Sequence, residues 1–221
     1  MRGAGREAGG VVRVARGPLR RDSLVTMNGA DDLDEHLDQV LVGGSEEREV
    51  RIEPYTHEWP RRFASERGRI EAALGPIARR IEHIGSTSVP GLAAKPIVDI
   101  MVSVEDPDDD PAIVAAMESA GYQLRAREPG HRMFRTPVRD VHVHVWAAGS
   151  DEERKDLLFR DWLRSHPADR LEYERTKQSL AGWWRDTNYY AQAKTPVIER
   201  ILASAGRAQQ EGEVSDPSRP L

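Results

Sequence analysis

The chemistry-bearing residues of this chain concentrate in one run, HIGSTSVPGLAAKPIVDIMV, residues 83 to 102. Gly85 has no side chain, so backbone amides around it can turn toward an anion, and the hydroxyls of Ser86, Thr87 and Ser88 add further donors. That is a turn suited to a phosphate. Beyond it, the period of two in an extended segment places Lys95, Ile97, Asp99 and Met101 on one face and Val98, Ile100 and Val102 on the other. Asp99 is then expected across from the Gly85–Ser86 turn, where a carboxylate beside phosphate oxygens suits Mg²⁺ or another divalent metal. The same spacing also fits a Gly-rich turn joining two core strands, with Asp99 as a buried polar anchor.

The second candidate is VHVHV, residues 141 to 145. Alternation puts His142 and His144 on one face, with the three valines on the other. Two imidazoles on one strand face can ligate a metal, transfer a proton or bind phosphate. They also fit a solvated strand face. Farther along, Arg160, Lys177 and Lys194 would form a basic wall against a polyanion if their helices turn toward the sheet, with Tyr173 and Tyr190 four residues before the two lysines. On exposed helices the same cations only solubilise. Trp162, Trp183 and Trp184 read as core or rim packing.

The positioning elements follow from hydrophobic period and punctuation. Val50 to Ile52 is a short strand candidate. Trp59, Phe63, Ile70 and Leu74 recur on one face of a helix that tolerates Pro60 in its first turn and ends at Gly75-Pro76. Strands are predicted over 80–84, 97–104, 122–127, 132–136 and 141–146, and a helix over 111–120. From Ser150 onward the pattern is helical. Ser150 with Glu153 fits a capping box, and that helix should stop at His166, before Pro167. Two more helices follow, about 168–182 and one ending near Ala205, which Pro196 either kinks or restarts with Thr195 as cap. The class is therefore α/β (α+β), a mixed sheet flanked by helices with a helical C-terminal part.

Among 221 residues, 31% are charged and 38% hydrophobic, the composition of a globular protein, and no apolar run is long enough to cross a bilayer. The net charge of −5 and the acidic stretch from Glu105 to Asp110 argue against a partner in extended nucleic acid, but allow a local basic pocket for one small phosphorylated molecule. There are no cysteines, so thiolate chemistry and Cys-ligated zinc are excluded. Residues 1–26 carry six Arg and two acids, and 27–48 carry seven acids and one Arg, with no sustained period. Residues 1–48 are expected to be a mobile extension, with Met27 a candidate native start, 49–206 the domain, and 207–221 a disordered tail. With no export or membrane signal, cytoplasmic location is the default. An uncovered sheet edge would leave a homodimer open.

The run 83–102, together with VHVHVW, FRDWLRSHP, EYERTKQSLA, YYAQAKTPVI and the opening RIEPYTHEWPRRF, resembles the GrpB family in the family's own order. The resemblance implies the nucleotidyltransferase fold of the DNA polymerase β type. In the family it resembles, the domain also occurs fused behind dephospho-coenzyme A kinase; residues 1–48 here contain no G-x-x-x-x-G-K-[ST] loop. Active members of the wider superfamily use a Gly-Ser turn, a pair of carboxylates one residue apart and a third carboxylate from a later strand. The turn carries over to Gly85-Ser86 and the first carboxylate to Asp99, but the second falls on Met101 and the third on the strand of His142 and His144. Three readings follow. The first is a nucleotidyltransferase-like enzyme with a modified site, Asp99 and His144 holding a metal and His142 or His144 working as acid/base, with Lys95, Arg160, Lys177, Tyr190 and Lys194 around the phosphates. The second is a catalytically silent nucleotide-binding or chaperone-like accessory module. The third is a hydrolase or amide-forming chemistry on the histidine pair. Fold alone does not choose among them.

Overall fold

The computed structural model describes residues 27–44, 46, 49–181 and 187–214. Five strands form one mixed sheet: β1 (Arg80–Ile84), β2 (Val98–Val104), β3 (Gln123–Glu128), β4 (His131–Arg135) and β5 (Val141–Ala147), in the order β1-β2-β5-β4-β3. Only the β2–β5 pair is parallel. The alternation read from the sequence sets which side chains go in. Val98, Ile100, Val102 and Val104 of β2 and Val141, Val143 and Val145 of β5 enter one apolar core. Helices α2 (Glu58–Leu74) and α3 (Asp110–Ser119) cover that core through Trp59, Ile70, Leu74, Ile113 and Met117. Burying such side chains stabilises the fold by roughly 1.5–3 kcal/mol each.

The other face carries the polar residues of β2 and β5 and meets helix α4 (Asp151–Ser165), on which α5 (Pro167–Ala181), α6 (Thr187–Ala193) and α7 (Thr195–Val214) assemble the helical half. Val89 and Leu92, from the loop after β1, pack with Leu163, Tyr173 and Ile201 of these helices. That second core clamps the loop against the helical half. Ser150 caps α4 by accepting from the Glu153 amide, as its sequence predicts, and α4 ends at His166. Pro196 restarts a helix at Thr195 rather than kinking one. Among the described residues, no helix is long and apolar enough to cross a membrane.

Three boundaries differ from the sequence reading. Residues 27–40 form helix α1, and Leu41 bridges to Ala126 of β3, so part of the expected extension seats on the sheet edge. Leu33, Leu37 and Leu41 recur every four residues, and Leu37 is buried. At the other end α7 runs to Val214, through part of the expected tail, because Ala208, Gln209, Gln210 and Glu211 propagate a helix already docked. Residues 50–52 form no strand; the chain there makes a single bridge, Glu53 to Ala94. Residues 1–26, 215–221 and 182–186, the last including Trp183 and Trp184, lie outside the described residues.

Candidate functional site

The turn after β1 is built as the Gly-Ser sequence predicts. Gly85 has φ 65° and ψ −170°, a conformation that side chains other than hydrogen resist. Ser86–Ser88 form one 3₁₀ turn, closed by the Ser88 hydroxyl donating to the Gly85 carbonyl at 2.6 Å. Arg164 of α4 donates to the Ser88 carbonyl at 2.9 and 3.2 Å, tying the turn to the helical half. Register pairs Ile84 with Asp99, so the turn and the carboxylate sit side by side. A Cβ on Gly85 would lie 2.5 Å from Asp99 Oδ2.

Parallel pairing of β2 with β5 sets Asp99 beside His142 and Met101 beside His144. His142 Nδ1 is 3.5 Å from Asp99 Oδ1. One ligand atom each from Asp99, His142 and His144 all lie within 4.8 Å of one another. Burial opposes ionisation of Asp99, but the contact with His142 and the charges of His142 and Lys95 outweigh it and hold the carboxyl below its ordinary value. Burial pushes His144 down to about 3, so its ring is neutral and has a lone pair. One carboxylate and two imidazoles suit a single divalent ion of borderline hardness, such as Zn²⁺ or Mn²⁺. A pair of Mg²⁺ ions does not fit: the position of the second carboxylate is Met101, fully buried and without an oxygen to offer.

Three lysines converge on this cluster from the helical half and the loop. Lys95 and Lys194 place their ammonium groups 5.2 and 4.7 Å from the centre of the Tyr190 ring, and Lys177 sits 4.9 Å over Tyr173. The Tyr173 hydroxyl is hydrogen-bonded to Ser86. Lys177 is buried and donates to the Ala93 carbonyl; burial, then Lys194, depress it to about 7. Burial also lowers Lys194, against the pull of Asp99. Glu174 offsets part of the charge on Lys177, and cations gathered beside the Gly85–Ser86 turn suit an anion.

Other residues singled out from the sequence are engaged elsewhere. Arg160 is buried against β1, donating to Glu82 at 2.8 Å, to Asp161 at 2.7 Å and to the His83 carbonyl at 3.2 Å. Its guanidinium fastens α4 to the sheet, so it does not join the lysine wall. Thr87 bonds His83 Nε2 at 3.0 Å, and the Ser88 hydroxyl is used inside the turn. Of the four turn residues, Gly85 and Ser86 are the two that face the cluster.

Asp156 of α4 has no signal in the sequence. Its Oδ2 accepts from Trp146 Nε1 at 3.2 Å, and burial, with Asp99 and Glu152 adding to it, raises its carboxyl to about 6. A carboxyl with a raised folded pKa contributes stability below its unfolded pKa, and that contribution is lost as pH rises through about 6. Asp156→Asn, which keeps the acceptor for Trp146, should therefore gain about 1–2 kcal/mol relative to wild type between about pH 4 and about pH 8. Urea denaturation at the two pH values measures it, and a flat difference would show that the carboxyl is not held protonated.

The model of the family described as "GrpB protein" matches residues 49–204. A UPF0157 protein of Streptomyces coelicolor is 48% identical over 171 residues, 77% of this chain and 91% of that protein. Another, from Halalkalibacterium halodurans, is 42% identical over 194 residues, covering 85% and 98%. The crystal structure of the conserved protein GrpB from Enterococcus faecalis superposes with a TM-score of 0.61 at 30% identity, over 70% of this chain and 98% of that one.

Proposed function

The chain belongs to the GrpB family, and we propose that it binds a nucleotide or another small phosphorylated molecule between the Gly85–Ser86 turn and the lysines of the helical half. A single divalent cation would be held by Asp99, His142 and His144. The observation that carries this reading is the convergence of unlike polar groups from distant parts of the chain: a metal-capable trio within 4.8 Å and, beside it, Lys95, Lys177 and Lys194. Solubilising lysines have no reason to turn inward; Lys177 is 2% exposed.

Each group has a part in that binding. Gly85 lets a phosphate approach the backbone, Ser86 orients Tyr173, and the lysines neutralise phosphate charge. The cation, when bound, would supply further charge neutralisation at phosphate oxygens. Nucleotidyl transfer would be the enzymatic form of this function, in a site altered by Met101. The same buried methionine favours a second reading, a nucleotide-binding accessory module that makes no product. A small ligand, rather than extended nucleic acid, and a cytoplasmic location complete the proposal.

The test is thermal and calorimetric titration of wild type and Asp99→Ala with nucleoside triphosphates and coenzyme A precursors, with and without Zn²⁺, Mn²⁺ or Mg²⁺. A ligand at about 100 times its Kd should stabilise wild type by about 2.7 kcal/mol. That gain should need the cation and vanish in Asp99→Ala. Affinity should also weaken as pH rises through about 7, because Lys177 loses its proton there. Product analysis on the bound nucleotide then separates transferase from silent module. No stabilisation by any nucleotide under any of the three metals would end the proposal.

A further inference from the structure

The Asp99–His142–His144 cluster is backed by a hydrogen-bonded chain that reaches across the sheet to its far edge. The turn Pro129-Gly130 pairs Glu128, the last residue of β3, with His131, the first of β4. Glu128 Oε2 lies 2.8 Å from His131 Nδ1, and His131 Nε2 lies 3.2 Å from His144 Nδ1. The two imidazole planes are within 2° of parallel, and His131 stacks on Trp146 with ring centroids 3.8 Å apart. Trp146 thus fixes the plane of the ring, and Glu128 fixes which of its nitrogens carries hydrogen. On the outer side, His36 Nε2 of α1 reaches Glu128 Oε1 at 3.2 Å.

The protons along this chain are determined by what each atom can do. A carboxylate only accepts, so His131 Nδ1 must bear the hydrogen. A neutral imidazole has one N–H, so His131 Nε2 presents a lone pair to its neighbour. His144 Nδ1 must then donate. That leaves the lone pair of His144 on Nε2. We propose that Glu128 and His131 are positioning residues which hold His144 as the Nδ1–H tautomer and so present its Nε2 as the ligand atom beside Asp99 and His142. Carboxylate partners that orient ligating histidines raise metal affinity in this way, and their loss typically weakens it about 10- to 100-fold. The link to a cation rests on the binding function proposed above; the tautomer itself does not.

The experiment is a two-bond ¹H–¹⁵N correlation spectrum of the full-length, metal-free protein labelled at histidine, with His144→Asn used to assign the His144 signals. Wild type should show His144 protonated at Nδ1 and bare at Nε2. Glu128→Ala should give mixed tautomers at His144. So should His131→Phe, which keeps a flat ring against Trp146 but breaks the chain. Zn²⁺ titration of the same samples should give a Kd about 10- to 100-fold weaker in both variants. Protonation of His144 at Nε2 in wild type, or an unchanged tautomer in both folded variants, would overturn the proposal and leave Glu128 and His131 as a hairpin clasp. Wild type that shows the expected tautomer but takes up no Zn²⁺ would retain the positioning chain and remove the cation. Equal Zn²⁺ affinity in wild type and both variants would overturn the claim that Glu128 and His131 present His144 Nε2 as a ligand atom.

Discussion

Gly85→Ala is expected to lower the free energy of unfolding by about 3 kcal/mol and to cost the site its turn geometry. Two causes add. The backbone at φ 65° and ψ −170° belongs to a region that only glycine occupies without strain, and the new methyl would stand 2.5 Å from Asp99 Oδ2. Neither neighbour can move cheaply: Ile84 and Asp99 are in register on paired strands, and the turn is fastened by Arg164. Gly91→Ala is the control, because Gly91 also has φ 80° but nothing lies within 4 Å of its added methyl. Urea denaturation of both variants should give about 1 kcal/mol for Gly91→Ala, the backbone part alone, and clearly more for Gly85→Ala. Equal losses would mean that the carboxylate yields to the methyl, and that the turn does not depend on its closeness to Asp99.

A comparable loss, about 2–3 kcal/mol, is expected for Glu66→Ala, on the opposite face of the sheet, because the stranded Tyr122 hydroxyl is buried whereas Arg62 and Arg69 are partly solvated and keep Asp140 and the Ala120 carbonyl. Glu66 is 1% exposed, accepts from Arg69 at 2.9 and 3.1 Å and from the Tyr122 hydroxyl, and forms an ion pair with Arg62 at 3.2 Å. Tyr122 is itself buried at the entry to β3, and its pKa is raised by burial and by this carboxylate. Removing the carboxylate strands a buried hydroxyl and leaves two guanidinium groups without their common partner. Glu66→Gln keeps the shape and one acceptor and should lose about 1–2 kcal/mol. Equilibrium unfolding at neutral pH distinguishes the two. A loss under about 1 kcal/mol in Glu66→Ala would show that water replaces the carboxylate.

The sheet was legible in the sequence where period and punctuation agree. VHVHV announced both its buried valines and its paired histidines, and the period of two on β2 was enough to expect Asp99 across from the Gly-Ser turn, although the register itself is set by the β1–β2 pairing and not by the long connection 85–97. The mixed α/β class and the family followed from the same segments. What the sequence did not reveal depends on docking. Lys177 and Lys194 could be named, but whether they face the sheet is set by the rotation of α5 and by the break between α6 and α7. Arg160 was a fair candidate for phosphate, yet one helical residue's direction hands it to Glu82 instead. His131 follows a Pro-Gly turn like any hairpin residue, and only the β4–β5 register, which pairs it with Trp146, brings its ring within reach of His144. The leucine stripe of α1 was readable and was masked by the acidic residues around it.

The parallel pairing of β2 with β5 has a consequence for how the molecule comes together. Asp99 and His142 are neighbours in space, but α3 and the whole β3–β4 hairpin lie between them in the chain. Parallel strands cannot be joined by a short turn, so the entropy of closing that long connection must be met before the two strands touch. Local pieces, α2 and the β3–β4 hairpin, can form early; the β2–β5 contact belongs to the slow, non-local part of folding. Asp99, His142 and His144 therefore meet only once the sheet is nearly complete, and the cation affinity proposed for them would be a property that no partly folded chain possesses.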